Sequence, residues 1–214
     1  MAMNLLSIYD SLLAHYGDLQ WWPAKTPYEV IVGAVLTQNT VWGNVEKAIA
    51  NFGDNLSPEF VSNTDTTELT DIIRPAGFFN QKAACLKAVT QWFAGYGFDM
   101  PTVQRESLEK LRPELLSVKG IGKETADSIL LYAFGFPSFV VDAYTMRLCE
   151  RYPIDAGKGY DTVKMYFEES LPRSEKIYNN YHALIVINGK NHCRKRSLCE
   201  RGCPLREICG RFGV

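Results

Sequence analysis

Residues 119–127 read KGIGKETAD, two glycines one residue apart with Lys119 and Lys123 beside them. Gly120 and Gly122 can take positive φ and lack Cβ, so an anion can approach the backbone closely. The N–H groups at the start of a following helix would meet it with the favourable end of the dipole. A nucleotide-phosphate loop needs G-x-x-x-x-G-K-[ST] after a strand, and this stretch meets neither condition. The alternative is a pair of glycines that only turns a corner. Asp142 stands before a helical segment that begins at Ala143. A carboxylate there can cap the helix, and an ionised one can also act as a general base or stabilise developing positive charge. Cys193, Cys199, Cys203 and Cys209 follow the spacing C-x5-C-x3-C-x5-C. Four thiols this close can hold zinc, hold an iron–sulfur cluster or form two disulfides, the last disfavoured in a cytosol. Cys85 and Cys149 sit alone in helical patterns and read as small buried apolar residues.

The elements that must position these groups are helical almost throughout. Leu5, Ile8, Tyr9, Leu12, Leu13 and Tyr16 form one apolar stripe that stops at Gly17. Thr26-Pro27-Tyr28-Glu29 pairs a capping box with a proline at the first helical position and leads into VIVGAVLTQ. That helix is apolar nearly all round and should be central. Further helices are expected at about 41–52, 57–62, 66–74, 80–95, 107–116, 123–134, 143–151, 160–171 and 174–189, separated by glycine and proline breaks such as Gly95 to Pro101. Only SFVV, residues 138–141, is strand-like, and four residues make no sheet. The expected class is all-α, without internal repeats.

Composition bounds the rest. With 214 residues and 46% apolar content, the chain can bury a real core as one large domain or two small ones. No basic leader precedes an apolar stretch, and no run of about 18 apolar residues occurs, so the expectation is a cytosolic protein without membrane contact. The formal charge of −1 hides an asymmetry. Seven basic residues face two acidic ones from Lys190 to Val214, a local +5 that leaves −6 on the remainder. A basic end on an acidic body marks either a nucleic-acid contact or a solvated tail.

LLSVKGIGKETADSILLYAFG followed by FVVDAY resembles the helix-hairpin-helix and aspartate of the endonuclease III superfamily of DNA glycosylases. The resemblance implies a backbone phosphate gripped by the hairpin through Lys119, Gly120, Gly122, Lys123 and Thr125. It also implies that Asp142 serves cleavage of the base–sugar bond. Members that also cut the strand read G-V-G-R-K-T-A, and their Schiff-base lysine falls on Glu124. A carboxylate cannot form an imine, and Lys123 is one residue early, about 100° round the helix. The chain therefore resembles a monofunctional glycosylase.

WWP, GAVLTQNT with an aromatic two residues on, VKGIGKE and VVD together resemble the 3-methyladenine DNA glycosylase III branch over about residues 20–145. That resemblance implies a base pocket of Trp21, Trp22, Pro23 and Trp42. It places Gln38 in the hole left by the flipped base and Phe78 as a wedge from the opposite side. An N-alkylated purine is cationic, its glycosidic bond is already weakened, and indole faces favour it by roughly 0.5–2 kcal/mol each. Endonuclease III-type enzymes also carry a C-terminal [4Fe-4S] loop spaced C-x6-C-x2-C-x5-C. Here the second cysteine, Cys199, comes one residue early, and Arg194, Lys195 and Arg196 would make the loop a cationic contact for phosphates.

The implied architecture is a six-helix barrel over 24–134, with its hairpin near 108–134, and a second lobe of 1–23 plus 135–214 holding Asp142 and the 193–209 loop. Duplex DNA with a damaged base would lie across the cleft between them, the protein acting as a monomer in the cytoplasm, on the nucleoid. The alternatives are a mismatch thymine or uracil glycosylase, a bifunctional enzyme using another lysine, and a non-enzymatic DNA-binding module.

Overall fold

The computed structural model describes residues 5–19, 21–152, 154–196, 198 and 202–209. Among these the chain is all-α, with twelve α-helices and no strand. It divides into two compact units, Met1–Trp21 with Pro137–Val214, and Trp22–Phe136.

The first unit opens with α1 (Leu5–Tyr16), whose Leu5, Ile8 and Leu12 are buried. The second unit then runs α2 (Pro27–Leu36), α3 (Trp42–Ala50), α4 (Pro58–Asn63), α5 (Thr66–Ile73), α6 (Phe79–Ala94), α7 (Met100–Gln104), α8 (Leu108–Ser117) and α9 (Lys123–Ser128). The chain returns to the first unit with α10 (Ala143–Arg151), α11 (Tyr160–Ser170) and α12 (Glu175–Asn191).

In the second unit α2 is central because it has no polar face: Tyr28 and every residue from Val30 to Leu36 are buried. It starts where the capping pattern puts it, Thr26 Oγ1 accepting from Glu29 N at 3.1 Å. The reciprocal arm differs by one residue, since Glu29 Oε2 accepts from the Lys25 amide at 3.1 Å rather than from that of Thr26. α7 was not expected. Asp99 caps it by accepting from Thr102 N at 3.0 Å, and Pro101 sits in its first turn, so residues that read as a break begin a helix.

The helix expected over 123–134 ends at Ser128 and continues as a π-turn, Ile129–Ala133, closed by Phe134 N donating to Ile129 O at 3.3 Å. The widened turn leaves carbonyls to be satisfied from elsewhere, and Gln104 Nε2 donates to Phe134 O at 3.1 Å.

In the first unit Phe139 is the hub of the core, stacked on Phe167 at 4.4 Å and edge-on to Tyr178 and Tyr181. SFVV forms no strand because side chains of α11 take its backbone groups. Phe139 N donates to Glu168 Oε1 at 2.8 Å, and Lys164 Nζ donates to Phe139 O at 3.2 Å and Ser138 Oγ at 2.8 Å. Those bonds fix the segment that enters α10.

Candidate functional site

The hairpin is α8, the bend 118–122 and α9. Ile121, buried, plugs the bend from inside, and its amide donates to Val118 O at 3.0 Å. Across the two helices Arg112 makes a two-pronged bond to Asp127, Nε to Oδ1 at 2.9 Å and Nη2 to Oδ2 at 3.1 Å. Asp127 is fully buried, so this pairing both satisfies a desolvated carboxylate and sets the angle of the hairpin.

The two glycines are not equivalent. Gly120 has φ +94, and a Cβ there would lie 2.9 Å from Cys85 Sγ. Gly122 has φ −92 and ψ 176, ordinary extended backbone, and a Cβ there would meet nothing within 4 Å. The expectation of positive φ at both positions is therefore corrected for Gly122: it is the N-cap of α9, where the extended region is usual. Neither backbone nor packing requires glycine at that place, and having no side chain it cannot cap the α9 amides itself. Lys119, Lys123 and Glu124 are exposed around it.

Gln38, in the turn after α2, is held against the hairpin. Its Nε2 donates to Gly120 O at 3.1 Å and to Thr125 Oγ1 at 2.9 Å. Thr125 is buried, and its hydroxyl anchors Gln38. Phe78, far from packing in the core, is 60% exposed and left-handed at φ 45. Trp22 lies against Gly33 of α2, where an added Cβ would be 3.3 Å from the indole nitrogen. Its ring is edge-on to Trp42 at 5.5 Å and tilted against Tyr132 at 5.0 Å. Tyr132 belongs to the π-turn and carries no warning in the sequence, since its spacing fits a plain helix. Trp21 has Lys190 Nζ over its ring at 5.5 Å, and Pro23 is exposed.

Asp142 is the N-cap of α10, and its two oxygens are differently engaged. Oδ1 accepts from Tyr144 N at 2.9 Å, Thr145 N at 2.8 Å and Thr145 Oγ1 at 3.1 Å. Oδ2 is 3.6 Å from Nε2 of His182 on α12. The side chain is 13% exposed. Burial works to raise its pKa, but His182 beside it and the bonds from Thr145 outweigh that and hold the carboxyl below its ordinary 3.8. One oxygen thus fixes the helix start while the other remains available as an ionised acceptor. His182 was not foreseen, because it sits within an apolar helical run and its partner is 40 residues away.

α10 reaches the cysteine loop at its other end. Arg147 Nη1 donates to Cys193 O, and Arg151 donates to Cys193 Sγ and Lys195 O, each at 3.0 Å. Cys203 Sγ lies 3.9 Å from Asn188 Oδ1, and Cys209 Sγ 4.0 Å from Arg151 O. None of the five described cysteines, Cys85 and Cys149 included, is in a disulfide. Among the described residues no group of three or more histidine, cysteine and acidic side chains is gathered closely enough to hold a metal ion. Cys199 lies outside them. Arg194, Lys195 and Arg196 are exposed, and Arg194 Nε donates to Lys190 O at 2.6 Å.

Residues 32–173 match the HhH-GPD superfamily of base excision DNA repair proteins. A protein of Methanocaldococcus jannaschii whose name, DNA repair glycosylase, is itself provisional is 50% identical over 96% of this chain and 95% of its own length. Endonuclease III of Sulfolobus acidocaldarius is 25% identical over 86% of this chain and 82% of its own. The crystal structure of an H. pylori 3-methyladenine DNA glycosylase bound to 1,N6-ethenoadenine superposes with a TM-score of 0.75 at 27% identity, covering 88% of this chain and 98% of that one.

Proposed function

Because the chain belongs to the HhH-GPD superfamily of base excision DNA repair proteins, we propose that it is a monofunctional DNA glycosylase that releases an N-alkylated purine such as 3-methyladenine. The observation that carries the chemistry is the divided carboxylate of Asp142. Oδ1 is spent on the α10 amides, which fixes the group, and His182 with Thr145 keeps it ionised, so that Oδ2 can stabilise the sugar cation and orient the water that attacks it. The substrate class rests on Trp22, Trp42 and Tyr132, aromatic faces suited to stacking a cationic ring. The M. jannaschii relative carries the provisional name DNA repair glycosylase, and the H. pylori neighbour is a 3-methyladenine DNA glycosylase. The hairpin, Gln38 and Phe78 hold and open the duplex, and Arg194, Lys195 and Arg196 add phosphate contacts.

The absence of a strand-cutting step rests on Glu124, exposed where a Schiff-base lysine would stand. On duplexes carrying 3-methyladenine, uracil, thymine glycol or mismatched adenine, the expected product is an abasic site from the alkylated substrate alone, nicked only after alkali. Borohydride trapping should give no protein–DNA adduct. An adduct would establish an imine-forming amine, and release of uracil or mismatched thymine in place of the alkylpurine would move the assignment to a mismatch enzyme.

The C-terminal cysteines are assigned to a thiolate-ligated cluster on their spacing; the described thiols are not themselves gathered closely enough to hold a metal ion. Cys193 and Cys203 are buried, none of the three described thiols is in a disulfide, and the Arg151 guanidinium beside Cys193 Sγ compensates anionic sulfur. Cys193, Cys199, Cys203 and Cys209 would hold a [4Fe-4S] group that ties the loop to the end of α12. As-isolated protein should then contain about four irons with equal acid-labile sulfide and absorb broadly in the visible. Stoichiometric zinc would overturn this.

A further inference from the structure

Lys82, on α6, is 3% exposed, and both of its identified acceptors are main-chain carbonyls. Nζ donates to Leu36 O and to Ala76 O, each at 2.8 Å. Desolvating an ammonium against neutral acceptors is costly compared with packing a leucine or methionine there. The carbonyls it chooses are 40 residues apart in sequence and have one property in common. Leu36 is the last residue of α2, and two residues later the chain reaches Gln38 and the left-handed Asn39, φ 53. Ala76 ends a single 3₁₀ turn, Arg74–Ala76, and two residues later the chain reaches the left-handed Phe78.

Left-handed backbone at a non-glycine residue costs about 1–2 kcal/mol. Among the described residues only Asn39, Phe78 and Phe98 adopt it, so two of the three lie just beyond the carbonyls that Lys82 holds. Phe78 recovers little of this from packing, being 60% exposed. Strain kept in an exposed aromatic residue fits a group set in advance for an outside partner. The Gln38 side chain itself is docked on the hairpin, its Nε2 donating to Gly120 O and Thr125 Oγ1. Arg74, in the other turn, lies over the Phe79 ring at 4.7 Å.

We propose that Lys82 is a positioning residue for base extrusion: its buried ammonium fixes the roots of the Gln38 and Phe78 turns to each other, so the two turns meet the duplex as one preset element. This rests on the glycosylase reading above. The ammonium touches no DNA; it acts through the two turns. Without it each turn would relax from its left-handed conformation, and opening a paired base would lose the binding energy that offsets unstacking.

The test compares two duplexes, one with the alkylated base paired to its normal partner and one with the same base opposite an abasic site, where little pairing remains to be broken. Lys82→Met keeps the volume and removes the donors; Lys82→Gln keeps a shorter donor. Single-turnover base release by Lys82→Met should fall roughly ten- to hundredfold on the paired duplex and change little on the other. Lys82→Gln should lie between it and the wild type. The ratio of the two rates within one preparation is independent of how much protein is folded. Phe78→Ala, a surface change, should reproduce the selective loss, and adding Lys82→Met to it should cost far less than the single changes predict together. In wild-type protein a 2-aminopurine next to the lesion should brighten on binding, and in Lys82→Met this should be lost, a readout that needs no turnover.

Equal losses on both duplexes, additive losses with Phe78→Ala, or failure of both Lys82 variants to fold would each overturn the proposal and leave Lys82 a fold residue. Wild-type protein that brightens 2-aminopurine but releases no base would instead sink the glycosylase reading.

Discussion

Asp142→Asn should abolish base release while leaving the protein folded and bound to DNA. Asparagine is as good an N-cap as aspartate, so its Oδ1 keeps the bonds from Tyr144 N, Thr145 N and Thr145 Oγ1. Losing the charge at the helix start costs about 1 kcal/mol or less of stability. The second atom changes from an ionised oxygen beside His182 to an amide nitrogen, which can neither stabilise a sugar cation nor take a proton from water. Single-turnover release should drop by about 10²–10⁴, with duplex affinity at fixed salt unchanged. Asp142→Ala removes the cap as well and should add a loss of about 1 kcal/mol in a thermal melt. Release by Asp142→Asn at the wild-type rate would reduce Asp142 to a cap and favour a DNA-binding module.

The same geometry has a pH signature. Asp142 carries a folded-state pKa below its ordinary 3.8, because His182 and Thr145 favour the charged form more than burial disfavours it. A carboxylate of lowered pKa stabilises the fold fully above its unfolded value, and that stability disappears only as the pH falls through the folded value. A carboxyl-carbon titration should place its midpoint below the ordinary 3.8, with the group ionised at neutral pH. An Asp142 titrating near neutrality would contradict the arrangement.

What could be read from the sequence was what local chemistry decides. Thr26 with Glu29, the apolar run of α2 and the α1 stripe each announce an element by spacing alone, and the boundaries of α10 follow from Asp142. Lost from view was whatever depends on a partner remote in the chain. Arg112 with Asp127, Lys82 with Leu36 and Ala76, and His182 with Asp142 join residues 6 to 46 positions apart, and only the packed helices disclose them. Tyr132 was hidden for a different reason: a single widened turn at a helix end leaves the apolar pattern leading into it unchanged, so a pattern that places a helix does not say which way its last turn aims a ring. α7 was missed because Asp99 and Pro101 serve equally as a loop and as a helix start.

Gly120→Ala and Gly122→Ala should fail in opposite ways, and the contrast decides what the bend is for. At Gly120 an alanine must adopt φ +94 and push its Cβ against Cys85, 2.9 Å from Sγ and 3.0 Å from Cβ. The backbone penalty and the overpacking together amount to about 2–5 kcal/mol of lost stability. In a Cys85→Ala background the sulfur clash is gone, so part of that loss should return while the share due to φ remains. At Gly122 an alanine keeps its φ of −92 and meets no atom within 4 Å. The weaker cap and the stiffer unfolded chain nearly offset each other, so stability should stay within about 1 kcal/mol of wild type. Duplex affinity should nevertheless fall roughly tenfold, because the new methyl occupies the space through which a phosphate reaches the α9 amides. Thermal melts and duplex titrations at one salt concentration separate the two effects. A Gly122→Ala protein that melts and binds like wild type would show the bend to be a corner between two helices, with the anion held elsewhere.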